Sequence, residues 1–138
     1  MLVLTAVDVE ARGLARQLGL ASVSGAVFPH FRGGAIEVAC IGLRASALEA
    51  RAAHFQPPRL VISAGACGAL APELAEGALV IPDTVVDEDG ARVATSALPG
   101  SEARGTLVTV ARVVTSAADK ARLWMETRAL ACDMESLP

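Results

Sequence analysis

Aromatic side chains make up only 3% of this 138-residue chain. Alanine, valine and leucine must therefore fill the interior, and small and β-branched groups of that kind suit strands covered by helices on both faces. Runs of lysine or arginine are absent and the formal net charge is -3. Without a basic footprint, nucleic acid and anionic membrane surfaces are excluded as partners. No apolar stretch reaches the ~20 residues that a spanning helix needs. The three cysteines, Cys40, Cys67 and Cys132, show no CxxC or Cys/His spacing, which excludes a zinc site and a disulfide framework. Lying in apolar, strand-like segments, they read as reduced, buried, small hydrophobes. The opening MLVLTAVDVE has neither a basic n-region nor a long apolar run, so no signal peptide is expected and a cytoplasmic location follows. There is also no Ser/His/Asp order, no Walker loop and no GxGxxG.

What is present is enough apolar material, 53% of the residues, to build one core, and the whole of 1–138 reads as a single domain. A mean hydropathy of +0.48 is high for a lone soluble domain of this size. Part of the surface is expected to be buried in a homo-oligomer, a dimer.

Along the chain, residues 1–7 form an apolar run of strand type. Asp8 follows, then VEARGLARQLGL, whose Leu14 and Leu18 lie four apart on one helical face. Residues 26–31 and 35–41 read as two strands joined at Gly33-Gly34. Residues 43–55 are alanine-rich and helix-forming, closed by Pro57-Pro58. A buried strand at 60–63 runs straight into a glycine turn containing Gly65 and Gly68. Another strand spans about 78–86 and ends at the acidic turn Asp87-Glu88-Asp89-Gly90, while 91–104 reads as loop. Residues 105–114 are strand-rich, and Ser116 with Asp119 forms a capping arrangement for a helix reaching about Glu126. A last strand covers 128–132, and Asp133 opens the next element. Strands alternating with helices indicate an α/β fold with a mixed or parallel sheet.

In such sheets ligands bind beyond the carboxyl ends of the strands. That rule selects four turns: 6–10, Ile41-Gly42, 65–68 and 133–135. Glu10 is either a general base at a cleft edge or an acid placed in a first helical turn, where the macrodipole favours it. The GACG turn is either a cradle of backbone N–H groups for an anion or a sugar, or a tight strand-helix turn. Glu135 has the geometry to accept two hydrogen bonds from a cis-diol, with Met134 as a soft apolar neighbour, or it is a solvated acid at a helix start. His30 and His54 read as structural.

Taken together, these turns resemble the purine nucleoside phosphorylase and nucleosidase superfamily. VISAGACGALAPELAEGALVIPD is similar to that family's strand, Gly-x-x-Gly turn and following Leu-x-x-Gly run. ALACDMES resembles its Met-Glu ribose motif, and TAVDVEA the Ala-Met-x-x-Glu turn of methylthioadenosine/S-adenosylhomocysteine nucleosidases. TSAADKARLWMETRALACDMES is especially similar to the hopanoid-associated phosphorylase-like branch.

The resemblance implies a three-layer α/β fold, with a central mixed sheet flanked by helices, and cleavage of an N-glycosidic bond between a purine and a ribose. Its transition state is oxocarbenium-like. Glu10 matches the carboxylate that orients or deprotonates the nucleophilic water, Glu135 the residue holding the ribose hydroxyls, and Met134 the residue packed on the sugar. Val113 and Val114 fall in the purine-binding strand segment. Gly65, Ala66, Gly68 and Arg44 would form the nucleophile or anion pocket. No metal or cofactor is implied, and phosphate enters only as a co-substrate.

Many family members carry an Arg and a Ser where this chain has Ser63 and Ala66, which leaves Arg44, of the same or a neighbouring subunit, as the source of positive charge. The family's leaving-group Asp follows one further helix and strand, beyond residue 138. The resemblance therefore predicts a C-terminally truncated fold with impaired catalysis. The alternative is a non-catalytic purine-binding or scaffold protein.

Overall fold

The computed structural model describes residues 1–137, and the chain divides into two compact units, Met1–Gly65 and Ala66–Pro138. In the first unit the opening apolar run is β1 (Leu2–Thr5), followed by α1 (Asp8–Gln17), β2 (Ala21–Ser22), β3 (His30–Gly33) and β4 (Ile36–Cys40). A 3₁₀ turn (Leu43–Ala45), α2 (Leu48–Ala52) and β5 (Val61–Ser63) complete it. The sheet order is β2-β3-β4-β1-β5. β1 runs parallel to β4 and β5, whereas β3 is antiparallel to β2 and β4.

Side chains alternate across a strand, and that alternation divides the apolar residues between two faces. Val3, Val38 and Cys40 pack with Phe31 against Ala11 and Ala15 of α1. Leu2, Leu4, Ala39 and Ile41 pack with Phe28, and Leu48 and Phe55 lie against them. The alanines of α1 are fully enclosed, Ala11 at 0% exposure, so a small residue sets how closely this helix approaches the sheet. Val38, also at 0%, contributes about 1.5–3 kcal/mol by burial.

The second unit contains β6 (Gly68–Ala69), β7 (Thr84–Asp87), β8 (Arg92–Ala94), β9 (Thr106–Thr109), α3 (Ala117–Thr127) and β10 (Ala131–Asp133). Its sheet order is β6-β10-β9-β7-β8. β9 is parallel to both β7 and β10, and the two edge strands are antiparallel to their neighbours. Ser116 caps α3 as its position predicts, its hydroxyl accepting from the Asp119 N–H at 3.0 Å. Leu123 of α3 packs on Val108, Val110 and Cys132. The α/β class and the mixed strand pairing expected from the sequence are those observed, carried by two five-stranded sheets.

Several boundaries differ from the sequence expectation, each for a local reason. β3 starts at His30 and not at residue 26, immediately after Pro29, which has no N–H for the ladder. The helix expected over 43–55 breaks into a 3₁₀ turn and the five-residue α2, because Arg44 and Ala45 take left-handed φ values of 56° and 52°. The strand expected at 78–86 forms only from Thr84, as Thr84–Asp87. Pro82 lacks a donor, and the Asp83 carboxylate instead accepts the Gly105 N–H at 3.0 Å. The acidic turn then closes a hairpin, with Asp87 Oδ1 accepting from Asp89 and Ala91, and Arg92–Ala94, read as loop, pairs with β7. The strand expected over 128–132 is shifted to Ala131–Asp133. Cys67 is exposed and lies outside the strands, unlike the buried Cys40 and Cys132. Among the described residues no helix is long and apolar enough to cross a membrane.

The first unit also buries a charged cluster. Glu37 Oε1 meets His30 Nε2 at 2.6 Å and accepts from Arg32 Nη2 at 2.7 Å, and its Oε2 accepts from the Gln56 N–H at 3.3 Å. The His30 ring stacks on Phe28 at 5.3 Å, while the exposed His54 presents its edge to Phe28 at 5.7 Å. Burial works to raise the Glu37 carboxyl, but the hydrogen bonds from Arg32, His30 and Gln56 and the charge of Arg32 outweigh it and hold the group below its ordinary 4.5. A carboxylate depressed in this way stabilises the fold fully above that value and loses its contribution as pH falls through the folded pKa. Urea unfolding from neutral pH to about pH 3 should therefore show stability declining in acid. Glu37→Gln should cost about 2 kcal/mol at neutral pH and flatten the acid limb.

Candidate functional site

In the first unit, the parallel pairing of β1 with β4 and β5 brings three strand ends to one edge of the sheet. Glu10 follows the end of β1, Arg44 the end of β4, and Gly65 the end of β5. Glu10 stands at the third position of α1, and its Oε2 accepts from the Ala6 and Val7 N–H groups at 3.2 Å each. Val7, the N-cap, has no side-chain acceptor of its own. The carboxylate thus returns to the backbone as the glutamate of a capping box does. It is half-buried, and Gly65 is packed against it: a Cβ at Gly65 would stand 3.0 Å from Glu10 Oε1. Glycine at 65 is therefore a matter of close approach. Arg44 is exposed on the 3₁₀ turn that follows Gly42.

In the second unit, β7, β9 and β10 likewise end together, and β6 begins there because it is antiparallel to β10. Gly68 pairs with Cys132, and a Cβ at Gly68 would lie 3.2 Å from Cys132 Sγ. Ala66 and Cys67 precede it in the exposed part of the GACG turn. Although Cys67 is exposed, the protein atoms around its thiol partly desolvate it and push its pKa up, and the Asp133 carboxylate adds to the rise. Burial also raises the Cys132 thiol, with Lys120 offsetting part of the effect. Both thiols are therefore held neutral, which makes neither a good nucleophile.

The Asp133-Met134-Glu135 segment is a tied turn and not a helix start. Asp133 is the last residue of β10. Its Oδ1 accepts from Thr109 Oγ1 at 2.8 Å, and its Oδ2 from the Ser136 N–H at 3.0 Å and the Ser136 hydroxyl at 2.5 Å. The Asp133 carbonyl accepts from the Val110 N–H at 2.8 Å. Thr109 Oγ1 in turn accepts from the Leu137 N–H at 3.1 Å. Met134 packs on the core formed by Val108, Val110 and Leu123. Glu135 is half-buried, with its Oε2 accepting from the Met134 N–H at 3.3 Å.

Val113 and Val114 are not on a strand. The β9 ladder gives way after Val110, because the next N–H, that of Ala111, is taken by the Glu88 carboxylate at 2.7 Å. Val113 is 71% exposed on the loop that follows, and Val114 packs on the core beside α3. Thr109 and Ser136 carry the turn, and the sequence reading passed over both. The signal was a threonine at the end of an apolar strand and a serine three places after Asp133. Among the described residues no group of three or more His, Cys, Asp or Glu could hold a metal ion.

A family model described as the phosphorylase superfamily matches residues 32–103, which is more than half of the chain. The fold is shared with solved structures of low identity. A futalosine hydrolase mutant of Helicobacter pylori superposes with a TM-score of 0.74 at 16% identity, over 98% of this chain and 79% of that one. A Francisella philomiragia protein described as a 5′-methylthioadenosine/S-adenosylhomocysteine nucleosidase gives 0.76 at 21% identity, over 98% and 75%. The 5′-methylthioadenosine/S-adenosylhomocysteine nucleosidase of Campylobacter jejuni gives 0.76 at 16%, over 98% and 75%. A search of curated proteins finds no match. On the family match and the shared architecture, the chain belongs to the phosphorylase superfamily.

Proposed function

We propose that the protein cleaves the N-glycosidic bond of a purine nucleoside, with water or phosphate as the acceptor. The observation that carries this reading is Glu135, a carboxylate on a hydrogen-bonded turn at the carboxyl edge of a parallel strand pair, in a chain of the phosphorylase superfamily. A carboxylate accepts two hydrogen bonds side by side, which matches the 2′ and 3′ hydroxyls of ribose, and Met134 offers the apolar surface beside it. Negative charge near the sugar stabilises a transition state that gathers positive charge there.

Glu10 takes the role of orienting or deprotonating the attacking water. Two backbone N–H groups fix its carboxylate, so little reorganisation is needed when the proton moves. Gly65, Ala66, Gly68 and Arg44 are the proposed surroundings of the nucleophile, with Arg44 neutralising phosphate where that is the co-substrate. Val113 and Val114 offer backbone groups to the purine edge. No cofactor or metal takes part in this scheme. Structures sharing the fold at low identity include nucleosidases for methylthioadenosine and a hydrolase for futalosine, which supports a nucleoside with a modified 5′ position as the substrate class. A homodimer in the cytoplasm is part of the same proposal, its assembly suggested by the apolar composition, a mean hydropathy of +0.48.

Calorimetry with adenosine and methylthioadenosine, paired with chromatographic assay for released adenine, tests the assignment. Both nucleosides should bind, adenine should appear, and Glu135→Gln should weaken binding by roughly 10- to 100-fold. Binding with no release of base would mark a nucleoside-binding protein without catalysis, and no binding of either compound would remove the reading. Glu10→Gln should lower turnover by roughly 10²- to 10⁴-fold with little change in nucleoside affinity. Gly65→Ala should act in the same direction, since its methyl would crowd the Glu10 carboxylate at 3.0 Å. Equal turnover in wild type and Gly65→Ala would show that the placement of Glu10 is immaterial.

A further inference from the structure

We infer that Thr109 is a positioning residue for the ribose site, acting through Asp133, and that the two acids flanking Met134 divide their work: Asp133 holds the turn and Glu135 meets the sugar. This rests on the ribose role proposed above for Glu135.

The turn is tied at both ends. Thr109 and Asp133 are direct partners across the parallel β9–β10 pair, so their side chains stand on the same face. Thr109 is 6% exposed. Its hydroxyl gives its proton to Asp133 Oδ1 and receives one from the Leu137 N–H. A hydroxyl is both donor and acceptor, and this placement uses both capacities. The other oxygen of Asp133 holds the N–H and hydroxyl of Ser136. Between these ties lie Met134, anchored on the core, and Glu135.

Both Asp133 oxygens are thus engaged by protein donors, in three hydrogen bonds. An incoming diol would have to displace these part-buried bonds to use them, whereas Glu135 sits on the segment those bonds hold in place. Valine matches threonine in shape but neither donates nor accepts. In Thr109→Val the Asp133 Oδ1 and the Leu137 N–H lose their partner, and the turn gains freedom while the strand keeps its packing. A weakened hydrogen bond to a charged group costs about 1–3 kcal/mol, on the order of 10- to 100-fold in affinity.

The test measures the affinities of adenosine and of adenine by calorimetry, together with amide hydrogen exchange at Ser136 and Leu137 in the ligand-free protein. It compares wild type, Thr109→Val, Thr109→Ser and Glu135→Gln. Thr109→Val should bind adenosine roughly 10- to 100-fold more weakly, leave adenine affinity unchanged and speed exchange at both amides. Thr109→Ser, which keeps the hydroxyl, should return adenosine affinity and exchange to the wild-type values. A general loss of structure would weaken adenine as well, and that outcome overturns the proposal. If Thr109→Val alters neither exchange nor adenosine affinity while Glu135→Gln weakens adenosine, the tie has failed and the ribose reading stands. If Thr109→Val speeds exchange but Glu135→Gln binds adenosine as wild type does, the ribose reading has failed and this inference falls with it. Ser136→Ala loosens the turn from its half-buried end without touching the strand. It should shift adenosine affinity and exchange in the same direction, and it serves should Thr109→Val not fold.

Discussion

Two parallel strands cannot be joined by a tight hairpin, so the chain must cross back over the sheet before the second one starts, and the carboxyl ends of the two then lie side by side. In the first unit this applies to β1 with β4 and β5, and in the second to β9 with β7 and β10. The candidate residues of each unit share an edge for that reason and no other. Glu10, Arg44 and Gly65 are separated by up to 55 positions along the chain, and three strand ends collect them. The antiparallel β6 obeys the same geometry in reverse, entering where β10 leaves, and so puts Gly68 against Cys132.

Elements whose signal is local and repeated were legible in the sequence. The apolar run of β1, the Gly33-Gly34 hairpin, α1 and the Ser116 cap of α3 each combine a period with a start or stop residue, and each is present. Errors fall where a side chain or a single backbone angle competes with the ladder. Glu88 takes the Ala111 N–H and ends the strand that Val113 and Val114 were expected to extend. Asp83 takes the Gly105 N–H and shortens the strand before Thr84. Arg44 and Ala45 adopt left-handed backbone inside an alanine-rich run that propensity alone would make a helix. None of these contacts is local in sequence except the last, and a left-handed pair of non-glycine residues has no compositional sign.

The candidate site was legible to a different depth. The four turns follow from the rule for strand ends, and all four fall at strand ends in the structure. Which acid ties the turn was not legible, because it depends on where the oxygens go. The sequence presents Asp133 and Glu135 as equivalent neighbours of Met134, and Thr109, 24 positions earlier, is what separates them. The glycines are similar. GACG suggests backbone groups gathered round an anion, yet Gly65 is needed where the Glu10 carboxylate approaches and Gly68 where the Cys132 sulfur does.

Glu10 shows why a structural and a functional reading of one residue need not compete. A carboxylate near a helix start is favoured by the dipole and by exposed N–H groups, and α1 satisfies the Ala6 and Val7 donors in this way. The same two bonds hold the carboxylate still, and immobility is what keeps reorganisation small for a group proposed to orient water. Glu37 makes the contrast. It too is fixed by several donors, but these include the Arg32 guanidinium and it is 5% exposed, so the bonds that stabilise its charge also close it to solvent. What distinguishes the candidate base from the structural carboxylate is therefore not the strength of its hydrogen bonding but the strand end on which it sits, half-buried, with a glycine beside it where a side chain would otherwise stand.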